Sequence, residues 1–273
     1  MKKKIIYIGT SFSIIDAIIS CKKFELRTVI CEKKRVSIKY EQRVNQYELN
    51  LLTFETKEDF EKLIDKQEEE IALIYQLDLI VPHSLTSRFE MFNFHSGSVR
   101  TNRGAHPILR TILNNEVRSE FTLHKINEKI DQGLLISTYK IDVSLSDDAK
   151  DIKYKMEKGF EKMFDHLILY FEGNLPLNPI QGGKYFKPIN ENDYTIDCFN
   201  DSITQIENKI RSQKQYKGAI LYDKNQKYFV THLIKKKIIS RKSFNIRIID
   251  DVAFIERTKI SFTLKLKKID EVD

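Results

Sequence analysis

Through its first third this chain alternates short apolar runs of strand length with helical stretches, and that alternation restricts the fold more than any other property. Residues 4–8 read as a strand closed by Gly9, residues 12–21 as an apolar-faced helix and 26–31 as a second strand. A helix over 43–49, a short strand over 51–54 and a charged amphipathic helix over 57–68 follow. Two apolar runs then flank a polar break, 71–75 and 77–81, and the second reads as the central strand. Parallel strands need crossover connections, which helices provide. The expected fold is therefore α/β: a Rossmann-like, mostly parallel sheet with helices on both faces. Ligands bind such sheets outside the carboxyl ends of the strands. That rule directs attention to residues 9–13, 82–87 and 93–95.

Further along, 107–114 reads as a helix and 120–126 and 134–141 as strands. Residues 147–171 read as one long helix, with Ile152, Met156, Phe160, Met163, Phe164, Leu167 and Tyr170 at near-helical spacing as core positions. Gly173, Pro176 and Pro179 end it and open a linker that contains Gly182-Gly183. A helix over 201–212, capped by Asp201 or Ser202, precedes a change of texture at Gly218. Beyond it, short apolar alternations split by turns at 223–226 and 250–251 read as a small C-terminal β-rich module, a barrel or an open sandwich. The expected division is 1–185 for an N-terminal catalytic domain and 186–273 for a linker helix and the β module.

A length of 273 residues allows one large core plus a smaller module. No apolar run approaches the ~20 residues needed to cross a bilayer. The basic start and apolar run of MKKKIIYIGTSFSIIDAIIS superficially suggest a signal peptide. Gly9, Ser13 and Asp16 interrupt it, so it reads as a first strand and helix, and a cytoplasmic, non-membrane protein is expected. Cys21, Cys31 and Cys198 are scattered and odd in number, which fits free thiols in a reducing compartment. GTSFS after the first strand holds a single glycine, so the dinucleotide fingerprint is missing, and so is a phosphate-cradling lysine loop. No His, Cys, Asp or Glu grouping has zinc-ligand spacing, and no metal is expected. Of the net charge of +7, residues 201–273 contribute a surplus of eight, 17 Lys/Arg against nine Asp/Glu. That balance suits an anionic partner, and equally a strand-rich module that keeps lysines on its edges.

The chemistry is concentrated in one window: Asn93-Phe94-His95, then Arg103-Gly104-Ala105-His106-Pro107, then Ile130-Asp131-Gln132-Gly133. An amide can donate to a developing oxyanion, an imidazole can move a proton, and a carboxylate can fix the state of the imidazole. That set suits acyl transfer without a metal. The segment FNFHSGSVRTNRGAHPILRTILNNEVRSEFTLHKINEKIDQGLLIS resembles, without a gap, the signature of the 10-formyltetrahydrofolate-dependent formyltransferases. Their pattern runs N-x-H-x-S-x-L-P-x-x-R-G-x-x-P, then a helix, two strands and D-x-G. Near the C-terminus, ITQIENKIRSQKQYKGAI is similar to the entry of that family's C-terminal domain, where I-x-x-K-I-R precedes a glycine-alanine pair.

The resemblance implies that a primary amine attacks the formyl group on N10 of the folate. It makes Asn93 the oxyanion donor, sets His95 beside the reacting centre and has Asp131 position His95 and take up the proton that the amine loses. It places the pterin between the loop after the central strand and the segment before the catalytic Asp, with Val81, Pro82, His83, Leu85, Ile126 and Ile130 as the binding residues. Ser11, Phe12, Arg100, Arg103 and Gly104 fall to the amine substrate, the two arginines suiting a phosphate or carboxylate. Val99-Arg100 replaces the family's Leu-Pro, and Asn102 replaces the usual aromatic before Arg-Gly. Both departures lie on the substrate-facing loop and bear on the acceptor. A nucleotide-linked amino sugar, of the kind made for surface polysaccharides, is the expected acceptor, with tetrahydrofolate as the other product. Methionyl-tRNA is the runner-up, using the basic C-terminal module; nucleic acid ranks behind the sugar nucleotide, and a homodimer is left open. A catalytically inactive ligand-binding relative is the reading from another class, and the intact trio argues against it.

Overall fold

The protein is described here by a computed structural model covering residues 2–268 apart from Leu177, Asn225 and 241–244. These residues divide into two compact units. The first comprises residues up to 107, 119–141 and 154–186; the second comprises 108–118, 142–153 and the chain from 187 onward.

The chain opens with β1 (Lys3–Gly9), α1 (Phe12–Ser20), β2 (Phe24–Glu32), α2 (Ile38–Gln46), β3 (Asn50–Phe54), α3 (Lys57–Asp65) and β4 (Ile71–Tyr75). After a one-turn helix α4 (His83–Thr86) come β5 (Glu90–His95) and the two-residue β6 (Arg103–Gly104). Next are α5 (Pro107–Leu113), β7 (Arg118–Lys125), β8 (Leu134–Asp142), α6 (Ala149–Glu157), α7 (Phe160–Phe171), β9 (Asn178–Pro179) and β10 (Tyr185–Phe186). The large sheet has eight strands in the order β3-β2-β1-β4-β5-β7-β8-β9. From β3 to β5 all neighbours are parallel; β5 meets β7 antiparallel, as β8 meets β9. The fold is thus the expected mixed α/β one, a mostly parallel sheet flanked by helices.

Burial explains the strand sequences. Ile5, Ile6, Tyr7 and Ile8 are all fully buried, so both faces of β1 are covered, as parallel strands require. At α3 the local signal is a capping box: Asp59 N donates to Thr56 Oγ1 at 3.1 Å, and Thr56 N donates to Asp59 Oδ2 at 3.3 Å.

Three expectations change. The central strand is Ile71–Tyr75, not 77–81. β4 stops at Gln76, which takes a left-handed φ of 63° and whose carbonyl accepts from Arg35 Nη1 at 2.7 Å. The run beyond it forms a loop in which Ile80 is 70% exposed. The single helix over 147–171 is two, α6 and α7, broken at Gly159. A Cβ there would lie 2.5 Å from the ring of Tyr139, so the helix can only approach β8 this closely through a glycine. The apolar stripe continues through the break, and Ile152, Met156, Phe160, Met163, Phe164 and Leu167 are all buried. The stretch containing Gly182-Gly183, expected to be a linker, instead pairs with the first unit through β9 and β10.

In the second unit, α8 (Glu191–Tyr194) and α9 (Ile203–Ser212) precede an antiparallel sheet of five strands. These are β11 (Ala219–Asp223), β12 (Gln226–Ile238), β13 (Asn245–Ile249), β14 (Val252–Arg257) and β15 (Ile260–Lys268), ordered β11-β12-β15-β14-β13. Of the turns expected from sequence, Asp250-Asp251 links β13 to β14, and the other includes Asn225, which lies outside the described residues. Ile206 and Ile210 of α9 join Leu221, Val230, Ile255, Phe262 and Leu264 in one core. Arg211 is buried on the same helix and donates to the carbonyls of Ser144 and Asp147 at 2.7 and 3.1 Å and to Asn208 Oδ1 at 2.9 Å.

Phe160 is the keystone of the first unit's aromatic packing, with ring centroids 5.3 Å from Phe94 and Phe121 and 5.8 Å from Tyr75. Replacing Phe160 by Ala is expected to cost about 3–5 kcal/mol. Urea unfolding checks this: the midpoint should fall with an unchanged slope.

Candidate active site

Asn93 and His95 are alternate residues of β5, so their side chains leave the same face of the sheet while Phe94, between them, enters the aromatic core. Antiparallel pairing sets Asn93 opposite His124 and His95 opposite Thr122. Asp131 arrives on the turn between β7 and β8 with a φ of 52°, a left-handed conformation that Asp tolerates better than most residues. Gly133 follows it, and a Cβ there would collide with the Lys125 carbonyl at 1.6 Å, so this turn depends on a glycine.

The three residues expected from sequence converge, and a fourth joins them. Asp131 Oδ2 accepts from Gly104 N at 2.8 Å and lies 3.6 Å from His95 Nδ1. Its Oδ1 lies 3.3 Å from His124 Nε2. The amide nitrogen of Asn93 is 3.4 Å from the same His124 Nε2. The amide carries two N–H groups, and His124 Nε2 can accept at most one of them. Asn93 therefore keeps a donor for a ligand. His95 Nε2 sits 2.7 Å from the Asn102 carbonyl, which can only accept, so the neutral ring carries its hydrogen on Nε2 and its lone pair on Nδ1. His124 has no local signature in the sequence. Only the cross-strand register that sets it against Asn93 reveals it.

Burial and close partners together set the charge states. His95 and Asp131 are 6% and 8% exposed. Burial pushes the His95 imidazole below its ordinary pKa, against the opposing pull of Asp131 and the Asn102 carbonyl, and with the added push of His124. For Asp131, burial works to raise the pKa. The pull of His95 when its ring is protonated, the bond from His124 and the N–H of Gly104 outweigh it and hold the carboxyl at about 2. At neutral pH the site thus combines a neutral His95 with an ionised Asp131.

The other expected residues separate into groups. His83 and Ile126 line a cavity of about 550 Å³, within the range of ligand pockets, together with Lys129, Gln132, Gln181 and Gly182. Leu85 instead belongs to a buried core cluster, against which Val81 and Ile126 pack. Pro82 caps α4, and Ile130 is 40% exposed. Ser11 is buried, receives at its oxygen no role in a cap, and donates to Glu157 Oε1 at 3.0 Å, while its N–H donates to the Tyr7 hydroxyl at 3.0 Å. Phe12 is partly exposed and packs on the Tyr40 ring at 5.2 Å. Arg100 is exposed. Arg103 donates from Nη2 to the Gly183 carbonyl at 2.8 Å and from Nη1 toward the Ile130 carbonyl at 3.4 Å, bonds with which any anion would compete. Gly104 contributes its N–H to Asp131. Among the described residues no group of three or more His, Cys, Asp or Glu could hold a metal ion, and no helix is long and apolar enough to cross a membrane.

Comparison with known proteins adds context. A family model described as formyl transferase matches residues 5–166. A methionyl-tRNA formyltransferase of Hydrogenobaculum sp. is 24% identical over 249 residues, covering 86% of this chain and 82% of that one. The N-formyltransferase of Helicobacter canadensis, solved with folinic acid and dTDP-3-aminofucose, superposes with a TM-score of 0.68 at 20% identity, covering 97% of this chain and 99% of that one. HypX from Aquifex aeolicus superposes with a TM-score of 0.68 at 12% identity over 99% of this chain, which spans 47% of that protein.

The electrostatics make the fold acid-labile in two stages. The unfolded chain protonates His95 near its ordinary pKa of about 6.5, before the folded chain does, so stability falls as pH drops below that value. Asp131 stabilises above its unfolded pKa of about 4 and loses that contribution, on the order of 2 kcal/mol, as pH falls toward its folded value. In Asp131→Asn, the His95 midpoint followed by NMR should move lower still, because the carboxylate that favours the imidazolium is gone. A midpoint moving upward would contradict this arrangement.

Proposed function

The chain belongs to the formyl transferase family, whose model covers more than half of it, residues 5–166, and from that premise we propose that it moves the formyl group of 10-formyltetrahydrofolate to the primary amine of a nucleotide-linked amino sugar. The observation that carries the chemistry is the meeting of half-buried Asn93 with buried His95 and Asp131, held together by His124 and Gly104. The amine attacks the formyl carbon, a C–N bond forms and the carbonyl oxygen becomes an oxyanion. Asn93 donates its side-chain N–H to that oxygen. The proton lost by the amine passes to Nδ1 of His95, and the resulting imidazolium lies between the Asn102 carbonyl and the Asp131 carboxylate. Breakage of the bond to N10, with a proton delivered to that nitrogen, releases tetrahydrofolate and the formamide. The cavity beside His83 and Ile126 is assigned to the pterin. Phe12 and Arg100 are assigned to the nucleotide sugar, and residues 1–185 to catalysis with 186–273 as the accessory module. No step is assigned to a metal.

Two observations support the sugar over methionyl-tRNA as acceptor. The ligands named for the Helicobacter canadensis structure are a folate and a nucleotide-linked amino sugar, and that chain matches this one over nearly its full length. Many lysines of the second unit are also already paired with acids: Lys209 with Asp201, Lys214 with Asp148, Lys227 with Glu191, Lys236 with Glu207 and Lys265 with Asp251. Lysines held by acids in this way are less available to a run of phosphates, although the module keeps its surplus of positive charge.

Mass spectrometry of amino-sugar nucleotides and of tRNA incubated with 10-formyltetrahydrofolate tests the assignment, and a formyl increment is expected on the sugar alone. Asn93→Ala, His95→Ala and Asp131→Ala should each lower turnover at least about tenfold, and loss of the oxyanion donor should cost on the order of 100- to 1,000-fold. Unchanged turnover in a folded Asp131→Ala variant would remove the catalytic reading. Binding to tRNA would weaken on the order of 1,000-fold between about 50 and 200 mM salt, whereas a sugar nucleotide with two phosphates should respond weakly. Charge reversal at Lys235, Lys236 and Lys237 should leave sugar turnover nearly unchanged; a steep salt response that this triple variant abolishes would transfer the assignment to tRNA.

A further inference from the structure

The segment 178–186 crosses the first unit as a strap and touches both halves of the site. Asn178 and Pro179 pair with Leu135 and Leu134. Ile180 N donates to the Gly133 carbonyl at 2.9 Å, and Gln132 Nε2 donates to the Gly182 carbonyl at 3.1 Å, which ties the strap to the turn bearing Asp131. Arg103 Nη2 donates to the Gly183 carbonyl at 2.8 Å. Lys184 N donates to the Arg100 carbonyl and Arg103 N to the Lys184 carbonyl, both at 3.0 Å, which ties the strap to the loop after β5. Tyr185 and Phe186 then pair in parallel with Arg103 and Gly104.

That loop supplies two main-chain groups to the site, the Asn102 carbonyl on His95 and the Gly104 N–H on Asp131. Its beginning is held by β7, through Thr122 Oγ1 on the Gly97 carbonyl at 2.9 Å and Ser98 Oγ on Glu120 at 2.9 Å. Its end, where both working groups lie, is held by the strap. The fit has no slack: Gly183 takes a φ of 85°, and a Cβ there would meet the Val99 carbonyl at 2.3 Å and Arg103 Nε at 3.1 Å. We propose that the strap is a positioning element for catalysis, in which Gly183, Arg103 and Gln132 hold the Asn102 carbonyl on His95 and the Gly104 N–H on Asp131. The catalytic half of this statement rests on the formyl-transfer reading. Arg103 thereby acts through the main chain and not as an anion ligand.

The tautomer of His95 is the readout. The groups facing the ring are Asp131, His124 and the Asn102 carbonyl, and of these only the carbonyl compels the hydrogen onto Nε2. In the full chain, nitrogen NMR of the neutral His95 ring is expected to show that single tautomer. Gly183→Ala should give a mixed-tautomer signal and lower kcat on the order of 10- to 100-fold, the scale of a small misplacement, with a smaller change in KM for the amine. Gln132→Ala removes one side-chain bond near the surface, so it keeps the test alive if the glycine variant does not fold, and it should shift both readouts in the same direction by several-fold less. Arg103→Lys should resemble Gly183→Ala, because an ammonium cannot span the two carbonyls. A single-tautomer signal retained in all folded variants, with lowered melting temperatures as the only effect, would overturn the proposal. The NMR arm needs no substrate, so a chain that transferred no formyl group would still report whether the strap sets the ring.

Discussion

A carboxylate that is buried and still ionised organises the candidate site. Removing an unpaired carboxylate from water costs several kcal/mol, and the protein must offset that with partners in fixed positions. Asp131 finds donors in two separate segments, His124 on β7 and the N–H of Gly104 on β6, and lies 3.6 Å from His95 on β5, whose ring attracts it once protonated. None of these can move away without leaving the charge exposed to an apolar interior. The carboxylate therefore acts as a clamp on the local fold, and the left-handed turn at Asp131 is tolerated because those partners hold it.

The sheet divides its labour at β5. On the parallel side β1 and β4 are buried on both faces and supply rigidity, while the antiparallel pairing with β7 brings two polar rows face to face. Within β5 the alternation of a strand gives both outcomes at once. Asn93 and His95 point toward the site, and Phe94 joins Phe121, Phe160 and Phe164 on the other face. A slip of one residue in this register would exchange a packed aromatic for a buried imidazole, which makes the register expensive to violate.

Much of this was legible from residues alone. The trio, the α/β class and the β-rich C-terminal module follow from motif order and periodicity, and the cap at Ser202 is where its side chain predicts, accepting from Gln205 N. The misreadings have physical causes. The run 77–81 has the apolar content of a strand, but Gln76 turns the chain before it, and a left-handed φ at a glutamine leaves no mark in the sequence. The helix over 147–171 keeps its apolar stripe through Gly159, and only the Tyr139 ring lying against that glycine shows why the axis breaks. His124 depends on pairing between strands some thirty positions apart, which periodicity within either strand does not encode. Gly182-Gly183 has the composition of a linker because a strap that docks through its main chain needs the same residue.

The order in which these parts leave the ribosome has its own consequence. A nascent chain exposed as far as Phe171 already contains every strand from β1 to β8 and all four side chains of the site. It lacks the carbonyls of Gly182, Gly183 and Lys184, onto which Gln132 and Arg103 later fasten. The first unit can therefore collapse and bury its aromatic core during synthesis while the loop after β5 is still unfastened. Closure of the candidate site lags behind compactness by the time the ribosome takes to add about a dozen residues, on the order of a second at ordinary elongation rates.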